Sequence, residues 1–215
     1  NIQKDGTYSV IPRMWGGETN ASELRRIADV VDKFNIPTVK VTGGQRIDLL
    51  GVKKEDLRAV WQDLGMPSGL AYAKGLRTVK TCVGSEWCRF GTQNSTLMGQ
   101  QLERELARMY APHKVKLAVS GCPRNCAEAG IKDVGVIGVD SGWEVYVGGN
   151  GGIKTEVAQF LVKLKTHQEV MEYTGAFLQL YREEGWYLER SGHYIGRGGR
   201  GYVKQEILEN AGRRG

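Results

Sequence analysis

Cysteine is scarce in this chain: 215 residues hold four. Without a secretion signal, those four do not suggest the disulfide framework of a small extracellular domain. Histidine is scarcer still, and His113, His167 and His193 have no spacing that suggests a metal site. No apolar run approaches the ~18 residues of a membrane span. The opening "NIQKDGTYSV" lacks the basic start and apolar core of a signal peptide. It also lacks an initiator methionine, which suggests a processed chain or a piece of a longer one. No G-x-G-x-x-G follows an expected strand, so no dinucleotide fold is expected; "GGNGG" reads as a turn or a cofactor-side loop. The net charge is +6, but no helix-turn-helix, aromatic strand platform or zinc-finger spacing accompanies it. Nucleic acid and membrane are therefore not expected partners, and a cytoplasmic location is expected.

What is present is ordinary globular material, 40% hydrophobic and 25% charged, with 30 glycines partly clustered in "GGNGG" and "GRGGRG". Residues 7–13 read as a strand. A helix follows, capped by Asn20 with Glu23 three residues on, and turning Leu24, Ile27, Val30, Val31 and Phe34 to one face. "TVKVT" and "RIDLL" read as strands, and a second helix carries Leu57, Val60, Trp61 and Leu64 inward before Gly65. This β-α-β-β-α order predicts an α+β fold that opens with a ferredoxin-like half-domain, residues 6–66. Beyond "MPSG" a mixed α/β domain, 70–175, is expected, and then a helical and Gly/Arg-rich tail, 176–215. The mixed domain should hold a helix over 94–110, a hairpin turning at Asp140–Gly142, and helices near 155–165 and 167–184. From Trp186 onward little periodicity is visible.

The cysteines fall in two pairs, Cys82-x5-Cys88 and Cys122-x3-Cys126, each following an expected strand and each beside glycine. Isolated buried cysteines rarely produce two such pairs. Structural zinc stays open, although its ligand pairs usually sit in a tighter C-x2-C knuckle. Four thiolates can also complete a 4Fe-4S cluster. Gly84, Gly91 and Gly121 would leave backbone N–H groups free to approach its sulfides. On chemistry alone an iron–sulfur protein is the favoured reading.

"TCVGSEWCRFG" and "VSGCPRNCAEAGIKDVGVIG" resemble the paired motif of the siroheme-dependent nitrite and sulfite reductases. Upstream, "IPRMWGGETNASELRRIADVVDKFNIPTVKVTGGQRIDLLGV" is similar to that family's ferredoxin-like half-domain, so the resemblance covers roughly residues 6–165. It is nearest to the NAD(P)H-dependent assimilatory nitrite reductase branch.

The resemblance implies siroheme and a 4Fe-4S cluster, with Cys82, Cys88, Cys122 and Cys126 as cluster ligands. Cys126 would bridge the cluster to the siroheme iron. It implies six-electron reduction of nitrite to ammonium, with sulfite as the rival anion and a non-catalytic iron–sulfur or zinc module as the rival class. Siroheme is a polycarboxylate, which accounts for the basic charge better than nucleic acid does. Arg13, Lys114 and Lys116 match anion-binding positions of the family. Arg46 replaces or displaces a further family arginine: it supplies the charge from two residues on, or the site uses one arginine fewer. Arg89, Arg124 and Asn125, inside the cysteine motifs, are cofactor-binding candidates. Electrons would come from a flavoprotein portion or subunit carrying FAD, a 2Fe-2S centre and NAD(P)H. A homo-oligomer is expected, since many members hold two copies of the half-domain unit and this chain has one.

Overall fold

Asn20 begins the first helix by accepting a 3.0 Å hydrogen bond from the Glu23 amide, which satisfies one of the otherwise unpaired N-terminal donors. In the computed structural model, which describes residues 1–71 and 73–211, this helix is α1 (Ala21–Lys33). It lies among β1 (Tyr8–Val10), β2 (Thr38–Val41), β3 (Ile47–Val52) and α2 (Leu57–Leu64). The strands form an antiparallel sheet in the order β1-β3-β2. Ile27 and Val30 of α1 and Val60 and Leu64 of α2 pack on it with Val10 and Leu49. Full burial of each such side chain is worth about 1.5–3 kcal/mol. Leu24, expected on the inward face of α1, is 45% exposed instead. Gly65 ends α2 in the left-handed conformation, φ 56°, as its expected cap position requires.

The second unit is a five-stranded mixed sheet in the order β10-β7-β6-β5-β4. It comprises β4 (Lys80–Thr81), β5 (Leu117–Ser120), β6 (Val134–Val139), β7 (Gly142–Val147) and β10 (Gln159–Leu164). A short turn, α3 (Gly84–Trp87), and the helix α4 (Ser95–Leu106) join β4 to β5. β4, β5 and β6 run parallel, and β6 and β7 form the expected hairpin.

The helix expected near 155–165 is absent. Thr155–Glu156 (β9) pair with Asn150–Gly151 (β8), and β10 pairs with β7. The apolar spacing Val157, Phe160, Leu161, Leu164 has a helical period, but a register shift between Phe160 and Val162 produces it on a strand. The irregularity lets Leu161 and Leu164 both reach the core.

Helix α5 (His167–Glu184) opens with a full capping box between Thr166 and Glu169. The expected boundary at residues 175 and 176 falls inside it. The tail, expected to be helical and Gly/Arg-rich with little periodicity from Trp186 onward, folds as α6 (Ser191–Gly198) and α7 (Arg200–Ala211). Tyr194, Ile195, Val203, Ile207 and Ala211 join one core with Leu102, Val119, Val136 and Phe177. Tertiary burial there overrides the low helix propensity of the glycines.

The two units meet through buried charge. Arg13 Nη1 donates to Glu103 Oε1 at 2.5 Å, and their side chains are 2% and 0% exposed. Glu103 Oε2 also accepts from the amides of Gly16 and Val79, at 2.8 and 3.1 Å. Burial pushes the Glu103 carboxyl up, while the Gly16 amide and Arg13 oppose that shift. Removing one partner strands the other charge, so Glu103→Ala should cost about 3–5 kcal/mol in urea unfolding. Lys33→Ala, which breaks an exposed pair with Asp63, should cost less than about 1 kcal/mol.

Candidate cofactor and anion site

Both cysteine motifs leave the sheet at neighbouring strand ends. Lys80 and Thr81 of β4 face Ala118 and Val119 of β5 in parallel register, so Cys82 and Cys122 emerge on the same edge. The four cysteines, all free thiols, line one cavity of about 410 Å³ with Gly91, Gly121 and Arg124. Cys122 is buried, Cys82 and Cys88 are half-buried, and Cys126 is exposed.

Glycine permits this closeness. A Cβ on Gly121 would stand 2.8 Å from the Gln93 carbonyl and 2.9 Å from the Gly84 Cα. One on Gly91 would stand 2.6 Å from the Gly84 carbonyl carbon. The loops touch backbone to backbone, and the Gly121 carbonyl accepts from the Thr92 and Gln93 amides at 2.8 and 3.0 Å. Of the three glycines expected to leave N–H groups free for cluster sulfides, Gly121 donates to the Cys82 Sγ, at 3.1 Å. Among the described residues no His, Cys, Asp and Glu group is arranged to hold a single metal ion. Thiolates set around a cavity rather than a point suit a multi-iron cluster, so the donors fit a 4Fe-4S group.

A second cavity, of about 420 Å³, lies where β4 and β5 begin, and it is strongly basic. Lys114 and Lys116 line it beside Arg46, Arg77, Lys80 and Lys132, against the acids Asp48 and Glu128. Burial and the neighbouring Lys114 and Arg190 lower the Lys116 pKa, and Asp133 opposes them. Thr78, also in the wall and 5% exposed, has a buried hydroxyl with no hydrogen-bond partner among the described residues. Such a concentration of cations, with an unused hydroxyl, fits a carboxylate-rich ligand or a small anion. The Thr42–Arg46 turn borders both cavities, Arg46 the basic one and Gln45 the cysteine one. Gln45 is pinned there by bonds with the Thr81 backbone, 2.8 Å to its amide and 2.7 Å to its carbonyl.

The structure thus brings Arg46, Lys114 and Lys116 together, and Arg124 with the cysteines. Arg13 stands apart from both cavities, in its pair with Glu103 and 5.3 Å from the Trp15 ring centroid. Asn125 adopts φ 56° and turns its oxygen back to the Ser120 hydroxyl and Gly130 amide, a loop-holding arrangement. Arg89 and Arg124 both approach the Phe90 ring, at 4.6 and 3.8 Å from its centroid. Trp87, at the end of α3, is 81% exposed.

Sequence reasoning missed Lys80, Arg77, Lys132, Gln45 and Glu103. Thr78 and Lys80 alternate with the buried Val79, which was a usable signal. Glu103 lies four residues beyond Gly99 and eight beyond Ser95, on the buried stripe of α4.

Residues 1–67 match the nitrite/sulfite reductase ferredoxin-like half domain, and residues 72–214 match the nitrite and sulphite reductase 4Fe-4S domain. The chain belongs to the nitrite and sulfite reductase family. Siroheme and a 4Fe-4S cluster, expected above, go with that membership. It is 62% identical over 214 residues to a nitrite reductase (NAD(P)H) of Bacillus subtilis, covering 100% of this chain and 26% of that protein. The chain therefore spans about a quarter of that relative's length. It is 32% identical to an assimilatory-type sulfite reductase of Nitratidesulfovibrio vulgaris, covering 96% of this chain and 95% of that one. A dissimilatory sulfite reductase I shares the fold, with a TM-score of 0.80 and 18% identity over 96% of this chain and 69% of that one.

If the glycine contact closes the cradle, Gly121→Ala should lower the iron and sulfide retained per chain after reconstitution. Gly175→Ala, with nothing within 4 Å of its added Cβ, should retain the wild-type amount. Unchanged iron in Gly121→Ala would contradict the assignment.

Proposed function

We propose that this chain is the siroheme and 4Fe-4S portion of an assimilatory nitrite reductase. The observation that carries the reading is the pairing of a four-cysteine cradle with a basic cavity on the same two strands. The 62% identity to a nitrite reductase over the whole chain supports nitrite as the substrate. When bound, siroheme and its cluster supply the electron transfer and the iron at which the anion reacts.

The chain's own residues do the rest. Cys82, Cys88, Cys122 and Cys126 hold the cluster, and Cys126, the exposed one, is the thiolate with room to serve a second metal centre. Lys114, Lys116 and Arg46 attract the anion and donate hydrogen bonds to its oxygens. The lowered pKa makes the Lys116 ammonium a better proton donor as oxygen leaves. Lys80 and Lys132 neutralise carboxylates at the wall and restrain each other through the exposed Glu128, at 3.1 and 2.9 Å. Arg13 acts behind the site, locking the half-domain in register.

Electrons are proposed to arrive from a flavin-bearing portion or subunit using FAD, a 2Fe-2S centre and NAD(P)H. The far greater length of the Bacillus relative supports this. A second copy of the chain is the proposed source of the other half of the site. Strand β2 supports it as a sheet edge whose Val39 and Val41 are 46% and 72% exposed. No helix among the described residues is long and apolar enough to cross a membrane.

Sulfite is the second reading, favoured by the end-to-end match to a sulfite reductase of similar length. An absorption spectrum of the loaded chain, followed by turnover of nitrite and of sulfite with an artificial reductant, decides between them. Intense siroheme bands with nitrite turnover well above sulfite are expected; the reverse ratio would reassign the substrate, and a bare cluster spectrum would remove the enzyme. Lys116→Ala should lower nitrite turnover about 10²–10³-fold, the usual effect of deleting one preorganised charge donor. Cys126→Ser should lose or decouple the siroheme bands.

A further inference from the structure

The C-terminal segment lines neither cavity, yet it is tied to the basic one by a buried network. Asp133, 1% exposed, sits just before β6. Its carboxylate accepts from the Lys116 amide at 2.8 Å and from Ser191 Oγ at 2.5 Å. Arg190 Nη2 spans both oxygens, at 2.9 and 2.8 Å. Arg190 is the residue before α6, its side chain is 15% exposed, and Ser191 is fully buried. The Lys116 carbonyl accepts in turn from the Val134 amide at 3.3 Å. Both backbone groups of Lys116 are thus held by adjacent residues, and Arg190 with Ser191 holds the first of those.

We propose that Arg190 is a positioning residue for Lys116: with Ser191 it fixes Asp133, Asp133 fixes the Lys116 backbone, and the C-terminal segment so sets where this ammonium stands. This rests on Lys116 being an anion-side group. The charge consequence follows from the same contacts. Lys116 is faced by Lys114 from its own segment, by Lys132 and Asp133 from the start of β6, and by Arg190 from the C-terminal segment. Arg46 and Asp48 of the half-domain, Arg77 and Lys80 at β4, and Glu128 share its cavity. His113 lies in the same field, its pKa lowered by burial and by Arg190. Burial, Lys114 and Arg190 lower the Lys116 pKa, and Asp133 raises it. Removing the Arg190 cation deletes one lowering influence and leaves Asp133 less neutralised. Both changes raise the pKa, so Lys116 stays protonated to higher pH.

The test uses the full chain with its lysines carrying ¹³C-methyl groups, the Lys116 signal being assigned by its loss in Lys116→Gln. In Arg190→Gln the Lys116 titration should move to higher pH and its amide should exchange about tenfold faster or more. Arg190→Lys keeps the charge and loses the two-oxygen geometry. It should titrate near wild type while exchanging faster. If Arg190→Gln does not fold by circular dichroism, Arg190→Lys and Ser191→Ala carry the test through exchange at the Lys116 amide. Unchanged Lys116 titration and exchange in the folded variants would overturn the proposal. Should Lys116 shift while the pH profile of nitrite turnover by the loaded enzyme stays fixed, the anion-side reading of Lys116 fails and the positioning role stands.

Discussion

The parallel pairing of β4 with β5, Lys80 opposite Ala118 and Thr81 opposite Val119, settles where both cavities lie. Because the strands run the same way, their ends collect what each segment carries. The cysteine motifs follow at one end; Arg77, Lys114 and Lys116 precede at the other, where Lys80 opens β4. Antiparallel strands would have mixed thiolates with cations at both ends. The cysteines and the cations can therefore share one short ladder while lining separate cavities.

The half-domain contributes mainly by contact with this ladder. Gln45 bonds to Thr81 as though it were a further strand residue, and Glu103 collects Arg13 and Gly16 from the half-domain and Val79 from the strand run-in. Both links are polar and multiply bonded, although the buried Arg13 Nη2 has no hydrogen-bond partner among the described residues, and this makes them demanding in geometry and so specific in how the two units dock.

Much of this was legible in the residues. The cap at Asn20, the αL glycine at 65, the hairpin and the two cysteine pairs each carry a local signal that tertiary packing did not override. β10 was misread because a register irregularity gave a strand the spacing of a helix. The bounds and inward faces of the tail helices were hidden because glycines obscure a period whose stabilisation comes from distant partners such as Phe177 and Tyr181. Arg13 shows the limit of reading a site from a motif. Its position beside the glycine pair was plain, but a carboxylate 90 residues away, invisible to local pattern, claims its guanidinium.

The link from Arg190 to Asp133 spans 57 residues, and this has a consequence for synthesis. A chain made from its N-terminus presents all four cysteines to the cell before α6 and α7 exist. During that interval the cysteines sit on a sheet whose core still lacks Tyr194, Ile195 and Ile207. The strands that lead into the cysteine motifs are translated early and consolidated late. Helices α6 and α7 therefore complete the core beneath the cysteine-bearing strands only after those strands have been made.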